Sequence, residues 1–331
     1  MDLEYLSQCV RESRFPQPME KTLIHFLHSY KTATHCSQES ETTSIVETFI
    51  SLVKEQLSHP YTFSHYHTAE RAPFDFYEFA LKMVRPLVDW EHSYISGKEH
   101  LNDIVSTLKR GENVILFANH QSEIDPQAID LLVSADSLDV ASSMTFVAGH
   151  RVTSDPLAVP FARGTNMLCI YSKRYIDHPP EQRAQKLQHN TRTLSQLNAL
   201  LQKGGNCIYI APSGGRDRFD EQNIPKVAPF DPQSVEIFRL LAQKAQTPTH
   251  FHLLALSTMH LLPPPTSINV ELGELREVSF SPIRLAFGPE IDFAALSTSP
   301  DKKKQREERS AWMTAQIKKM HDALIPRAIQ H

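Results

Sequence analysis

The chain has 331 residues, 40% of them hydrophobic, with 34 basic against 38 acidic side chains, 4 cysteines and 10 glycines. This composition excludes a disordered chain, a collagen-like or glycine-rich repeat and a small scaffold built on disulfides. A formal net charge of −4 supplies no basic field of the kind that holds nucleic acid, so no nucleic-acid partner is expected and any anion has to be bound locally.

A chain of this length suits one large domain plus a small one, burying about three quarters of its unfolded surface. No stretch approaches the roughly 18 consecutive apolar residues of a spanning helix. The runs Val114 to Ala118 and Leu253 to Leu256 are short and bounded by polar groups. No transmembrane segment is therefore expected, although transient contact with a membrane surface is compatible. The opening Met1-Asp2-Leu3-Glu4-Tyr5 has neither the basic start of a signal peptide nor the acid-poor character of a transit peptide. A cytosolic protein, or one whose transit segment has been removed, is expected.

Residues 1–60 read as helical throughout, with apolar residues at Ile24, Phe26 and Leu27 and again at Ile45, Phe49, Ile50, Leu52 and Val53 at three-and-four spacing. Breaks at Pro16, Pro18 and the polar Ser37 to Ser40 suit three or four helices, and His59-Pro60 reads as the stop. Domain boundaries of 1–60 for a helical bundle and 61–331 for the remainder follow. Phe76 to Leu108 reads as a longer amphipathic helix with a break near Gly97.

From Asn113 the texture changes. Short β-rich runs are expected at Val114 to Ala118, Thr145 to Ala148, Leu168 to Tyr171, Cys207 to Ala211, His252 to Leu256 and Ile268 to Leu272. Helical stretches at Pro126 to Val133, Glu181 to Gln202, Gln233 to Ala245 and Asp301 to Leu324 alternate with them. The fold class is α/β, a central mixed sheet flanked by helices, behind the small N-terminal bundle.

Directly after the first apolar strand stands Asn119-His120-Gln121-Ser122-Glu123-Ile124-Asp125-Pro126, with a histidine and an aspartate five apart. With 17 His and 16 Asp in 331 residues about one such pair arises by chance, and His150 with Asp155 is a second. Five residues along a continuous helix turn by about 140°, so such a pair meets only if the histidine lies in a loop and the aspartate at a helix entry. Both pairs are expected to meet this condition, each aspartate preceding a proline, Pro126 and Pro156. The structural reading of either aspartate is a helix cap. The chemical reading of His120 with Asp125 is a general base whose tautomer the carboxylate fixes.

A second feature is Ile208-Tyr209-Ile210-Ala211-Pro212-Ser213-Gly214-Gly215-Arg216-Asp217-Arg218, a strand running into a Gly-Gly turn with two guanidinium groups. Arg216 and Arg218 can fork around phosphate oxygens. Its structural reading is a tight turn with solvated charges, Asp217 pairing one arginine. Four of the ten glycines, at 204, 205, 214 and 215, flank this strand. A third cluster, Tyr171-Ser172-Lys173-Arg174-Tyr175, also follows an apolar run. If it lies at the same sheet edge, Lys173 and Arg174 join Arg216 and Arg218 in one anion pocket.

The run Asn119 to Pro126 resembles the histidine/aspartate box of glycerolipid acyltransferases. More narrowly, Gly149-His150-Arg151-Val152, Ser172-Lys173-Arg174, Asn190 to Leu194, Ala211 to Arg218 and Ala228-Pro229-Phe230-Asp231 resemble, in this order, the soluble plastid-type glycerol-3-phosphate 1-acyltransferases, which also occur in chlamydial bacteria. The likeness spans about Gly111 to Pro265. It implies a helical bundle before a larger α/β domain, His120 as base, Asp125 as its partner, and Arg216 and Arg218 on substrate phosphate. A Lys-His pair of the family falls here on Arg174-Tyr175, which keeps one cation and replaces a histidine by a phenol; His150/Asp155 becomes structural. The implied partners are glycerol 3-phosphate and an acyl thioester, of acyl carrier protein in preference to coenzyme A, in a bacterial cytoplasm or the plastid stroma; no cofactor is implied. Seven cations (Lys302, Lys303, Lys304, Arg306, Arg309, Lys318, Lys319) against two acids between 302 and 319 read either as a basic helix that steers an acidic carrier or as a solvated C-terminal helix face.

Rival readings remain. A hydrolase would use the His-Asp pair to activate water, Ser122 or Ser213, neither of which sits in a Gly-x-Ser-x-Gly elbow. A non-catalytic phosphate- or protein-binding module would use the same arginines. Cys169 and Cys207 lie in apolar runs and read as core, while Cys9 and Cys36 fall in the helical unit. His65-Tyr66-His67 and His250-Phe251-His252 have no third ligand at a known spacing, so no metal is expected.

Overall fold

The computed structural model describes residues 1–34, 39–222, 224–264 and 275–325, with only the backbone of Glu39 and Arg174. Three helices come first: α1 (Leu3–Glu12), α2 (Gln17–Ala33) and α3 (Glu39–Ser58). The Asp2 carboxylate caps α1 by accepting from Tyr5 N, and Pro18 enters the first turn of α2, where its missing N–H costs nothing. Then follow β1 (Tyr66–His67), α4 (Phe76–Val84), β2 (Tyr94–Ser96) and α5 (Lys98–Lys109).

The α/β core continues with β3 (Asn113–Ala118), α6 (Asp125–Val133), α7 (Leu138–Ser143), β4 (Thr145–Gly149), α8 (His150–Ser154), α9 (Val159–Arg163), β5 (Asn166–Ile170), α10 (Lys173–Ile176), α11 (Arg183–Lys203) and β6 (Cys207–Ile210). A small hairpin of β7 (Arg218–Phe219) and β8 (Pro225–Lys226) precedes α12 (Pro232–Ala245), β9 (Thr249–Ser257), β10 (Arg284–Glu290) and α13 (Lys302–Leu324).

Eight strands form one mixed sheet in the order β1-β5-β4-β6-β3-β9-β10-β2. The inner strands β5, β4, β6, β3 and β9 are mutually parallel, and β1 and β10 add antiparallel neighbours. Side-chain alternation divides the core. Val114, Leu116 and Ala118 of β3 face one apolar cluster together with the N-terminal helices. Ile115 and Phe117 face the other, with Leu197 and Leu201 of α11, Val235 and Phe238 of α12 and Met313 and Ile317 of α13.

Five of the six strands expected from sequence are present. The sixth, Ile268 to Leu272, lies outside the described residues. The expectation of near-continuous helix over Phe76 to Leu108 fails between residues 85 and 97. There a 3₁₀ turn at Arg85–Leu87 leads to β2, which pairs in parallel with β10, and Gly97 restarts the chain with φ +71. A side chain at that position would lie 2.1 Å from the Phe287 carbonyl oxygen, so this close approach fixes a glycine there. β2 is three residues long, and its pairing with a strand nearly 200 residues away leaves no local periodicity.

The helical unit is not a separately packed body. Phe26, Leu27, Tyr30 and Phe49 share one apolar cluster with Met83, Val84 and the sheet. The Tyr30 hydroxyl donates to the Met83 carbonyl at 2.9 Å, and Phe49 meets Phe161 edge-on. The change of texture near residue 60 therefore marks a change of architecture, not a gap in the core.

Candidate active site

The inner strands end at one edge of the sheet, and the segments that follow β3, β4, β5 and β6 gather there, as ligand-bearing loops do in parallel α/β sheets. They line a cavity of about 270 Å³. His120, His150, Arg151, Arg216, Arg218, Arg276 and Glu123 belong to its polar lining. Leu23, Phe26 and Tyr30 of α2, Phe49 of α3, and Met83 and Val84 of α4 contribute to its apolar wall.

At the polar end, His120 Nδ1 stands 2.8 Å from Asp125 Oδ2. His120 lies in the loop after β3 and Asp125 opens α6, the geometry that the five-residue spacing requires. Asp125 is buried, and its carboxylate also accepts from Gln121 N at 2.8 Å, Ser122 N at 3.1 Å and the Thr258 hydroxyl at 2.6 Å. The aspartate thus holds the loop that carries the histidine as well as the ring, and it does not cap α6. With Nδ1–H donated to Asp125, the half-buried ring is left with Nε2 as its acceptor.

Asp217 ties the arginine turn to this loop. Its backbone N–H donates to the His120 carbonyl at 2.6 Å, between Arg216 on one side and Arg218 on the other. The structural expectation that Asp217 pairs an arginine is corrected: the side chain is fully buried and accepts from Asn119 Nδ2 at 2.9 Å, Gln121 Nε2 at 3.3 Å and Ala228 N at 2.8 Å. Burial pushes its carboxyl up, and those donors pull in the opposite direction. Gln121 in turn accepts from Thr258 N and Met259 N and its amide meets His321 of α13 at 2.9 Å. Asn119 exchanges two hydrogen bonds with the Leu256 backbone. The histidine loop is therefore fastened to β9, α13 and the arginine turn by amides that flank it in sequence.

Glu123, inside the same loop, receives Arg216 on one oxygen at 3.2 Å and Arg276 on the other at 3.0 Å. Burial alone would raise its carboxyl, but these guanidinium groups outweigh it and hold it at about 2. Of the glycine pairs flanking β6, Gly214 and Gly215 line the cavity. Gly204 and Gly205 sit at the opposite end, between α11 and β6.

The third cluster divides. Ser172 and Tyr175 line the cavity. Lys173 does not join Arg216 and Arg218 there; its Nζ is held by both oxygens of Asp231 at 2.9 Å and by Gln233 at 2.8 Å. The Arg174 side chain lies outside the described residues. The second His-Asp pair, expected to place its histidine in a loop, does not: His150 opens α8 and packs on Tyr171 with ring centroids 4.7 Å apart, while Asp155 accepts from Arg276 at 2.6 Å and Leu157 N at 3.0 Å.

The Acyltransferase family model matches residues 93–251. The chain is 35% identical over 327 residues to the chloroplastic glycerol-3-phosphate acyltransferase of Arabidopsis thaliana, spanning 96% of this chain and 70% of that protein. It is 36% identical over 304 residues to the chloroplastic glycerol-3-phosphate acyltransferase ATS11 of Cucurbita moschata, spanning 90% and 68%. The chain belongs to the glycerol-3-phosphate acyltransferase family. Among solved structures, the acyltransferase is similar to the 1-acyl-sn-glycerophosphate (LPA) acyltransferase PlsC from Thermotoga maritima, at 14% identity and a TM-score of 0.43 over 98% of each chain.

Other candidates in the acyltransferase fall into place. Cys169 and Cys207 are buried, and burial pushes both thiols up to about 12, which suits core residues; Cys36 lies outside the described residues. Ser122 is buried and donates to the Leu262 carbonyl, and Ser213 donates to the Gly215 carbonyl. His67 meets the Arg163 carbonyl oxygen, His250 lies between Glu112 and Glu290, and His252 meets the Gly288 carbonyl oxygen. On α13, Arg309 is buried and bonds the Phe293 carbonyl, so it is not among the cations this helix offers to a partner. Asn119, Gln121 and Glu123 were within reach of sequence reasoning as polar neighbours of His120. Thr258, Arg276 and His321 carry no local signal and join the site only through the fold.

Proposed function

We propose that this acyltransferase transfers a fatty acyl group from an acyl thioester to the sn-1 hydroxyl of glycerol 3-phosphate, giving 1-acylglycerol 3-phosphate and a free thiol. One juxtaposition carries the reading: a His-Asp pair, Arg216 and Arg218, and a long apolar wall line a single cavity. These are the three recognition elements that a hydroxyl, a phosphate and an acyl chain require. The substrates named for the relatives are consistent with it.

In this scheme Arg216 and Arg218 hold the phosphate through charge-assisted hydrogen bonds, so that the primary hydroxyl lies against His120 Nε2. The ring takes the hydroxyl proton as the oxygen attacks the thioester carbonyl. A carbon–oxygen bond forms, the carbon–sulfur bond breaks, and the imidazolium returns its proton to the departing thiolate. Asp125 orients the ring throughout, and no acyl-enzyme is required. The chain lies along the wall built by α2, α3 and α4, which gives the helical unit a share in acyl-chain selection. A hydrolytic role for Ser122 is disfavoured because its hydroxyl is directed to Leu262.

The donor in this proposal is an acyl carrier protein thioester, approached through the exposed Lys302, Lys303, Lys304, Lys318 and Lys319 of α13. The compartment in this proposal is the plastid stroma in a plant, the relatives being named chloroplastic, or the cytoplasm in a bacterium. The test compares initial rates for carrier-protein and coenzyme A thioesters of several chain lengths, at low and high salt, with labelled acyl groups and glycerol 3-phosphate. Formation of 1-acylglycerol 3-phosphate, faster with the carrier protein and slowed by salt, is expected. Release of free fatty acid without that product would overturn the transferase reading, and salt-independent rates would remove the steering role of α13.

A further inference from the structure

Arg276 lies 60 residues beyond Arg216 in sequence, yet the fold brings both onto one carboxylate. Glu123 gives Oε1 to Arg216 at 3.2 Å and Oε2 to Arg276 at 3.0 Å. Arg276 also reaches Asp155 Oδ2 at 2.6 Å through Nη2, and its side chain is only 11% exposed. Arg216 and Arg276 both line the cavity that contains His120. A guanidinium that gives its whole charge to a buried carboxylate has little left for a ligand. One that shares the carboxylate with a second guanidinium keeps more.

We propose that Arg276 and Glu123 are positioning residues for the substrate phosphate: Arg276 occupies one oxygen of Glu123, so that this carboxylate holds Arg216 in place from the other oxygen without neutralising it. Asp155 balances the charge on Arg276 from the far side. The arrangement also ties the phosphate end of the cavity to the catalytic loop, because Glu123 lies between His120 and Asp125. Removing Arg276 leaves Glu123, with only the more distant Arg151 still acting on it, to draw more strongly on Arg216 and weakens the pull of Arg216 on phosphate. Removing the charge of both Arg276 and Glu123 restores that pull. The inference rests on the assignment of Arg216 to glycerol 3-phosphate made above.

The test measures kcat and the KM of each substrate for Arg276→Met, Glu123→Gln, the double variant and Arg216→Ala. Arg276→Met should raise the KM for glycerol 3-phosphate roughly tenfold, about one charge-assisted hydrogen bond, with kcat and the KM of the acyl donor within about twofold. Arg276→Met combined with Glu123→Gln should return that KM to within about threefold of the parent. A double variant as impaired as Arg276→Met, or an Arg276→Met enzyme with the parental KM, overturns the proposal. Should Arg276→Met fail to fold, Glu123→Gln alone decides: its amide oxygen still accepts from Arg216 and holds it in place while the neutralising charge is gone, so its KM for glycerol 3-phosphate should be no higher than the parent's, and an increase contradicts the charge-sharing account. Arg216→Ala separates the levels: a raised KM there beside an unaffected Arg276→Met sinks only this inference, whereas an unchanged KM in Arg216→Ala removes the phosphate assignment beneath it as well.

Discussion

Two histidines in this chain are each followed five residues later by an aspartate and then a proline, and the fold treats them in opposite ways. His120 lies in the loop after β3, its aspartate starts α6, and the two side chains meet at 2.8 Å. His150 is itself the first residue of α8 and Asp155 follows the last. A helical run between them turns the pair about 140° apart. The ring instead packs on Tyr171, and the carboxylate is taken by Arg276 and Leu157 N. The difference shows that spacing has no chemical meaning until the backbone between the residues is known. A six-residue loop after a fully buried strand folds back on itself, whereas a five-residue helix cannot.

The contrast can be tested by matched substitutions. His120→Ala should lower turnover by about 10²- to 10⁴-fold, the usual worth of a general base, while His150→Ala should keep turnover within about threefold; steady-state kinetics with glycerol 3-phosphate decides, and equal losses would break the distinction. Asp125→Asn should cost about a hundredfold or more in kcat, because the ring loses the acceptor that fixes its tautomer. Asp155→Asn should act on the KM for glycerol 3-phosphate through Arg276 instead. Thr258→Val removes the 2.6 Å bond to Asp125 and should lower thermal stability by about 1 kcal/mol and turnover a few-fold, as differential scanning calorimetry and kinetics would register.

The smallest effect concerns pH. Burial lowers the pKa of His150 from its ordinary value of 6.5, so the folded protein prefers the neutral ring. The unfolded chain binds more protons below that value, and stability falls as pH drops through it and is level above it. In His150→Phe, the difference in melting temperature between pH 7.5 and pH 5.5 should shrink. An unchanged difference would show that this ring does not contribute to acid destabilisation.

Much of the α/β architecture was legible because β3 and β6 are buried on both faces and read as unbroken apolar runs. The helices declared themselves by three-and-four periodicity, whereas the cap of α12, where the Asp231 carboxylate accepts from Ser234 N two residues ahead of the expected start, was seen only in the fold. β2 and β1 were not legible, being two or three residues long and defined by distant partners. In the site, His120, Asp125, Arg216 and Arg218 stood out because they cluster around two loops that follow strands. The rest of the site is assembled by tertiary contact. Thr258 and Arg276 are ordinary residues in their own segments, and Lys173, attractive as a neighbouring cation, is held by Asp231 and Gln233, which no local pattern announces.

The central claim, that His120 acts in chemistry and the arginines act in binding, is tested most directly by titrating glycerol 3-phosphate into His120→Ala calorimetrically and assaying the same preparation for acyl transfer from a labelled thioester. The account predicts a Kd within about threefold of the parent together with product formation reduced by about a hundredfold or more. Turnover close to the parent's, or loss of glycerol 3-phosphate binding along with activity, would contradict it.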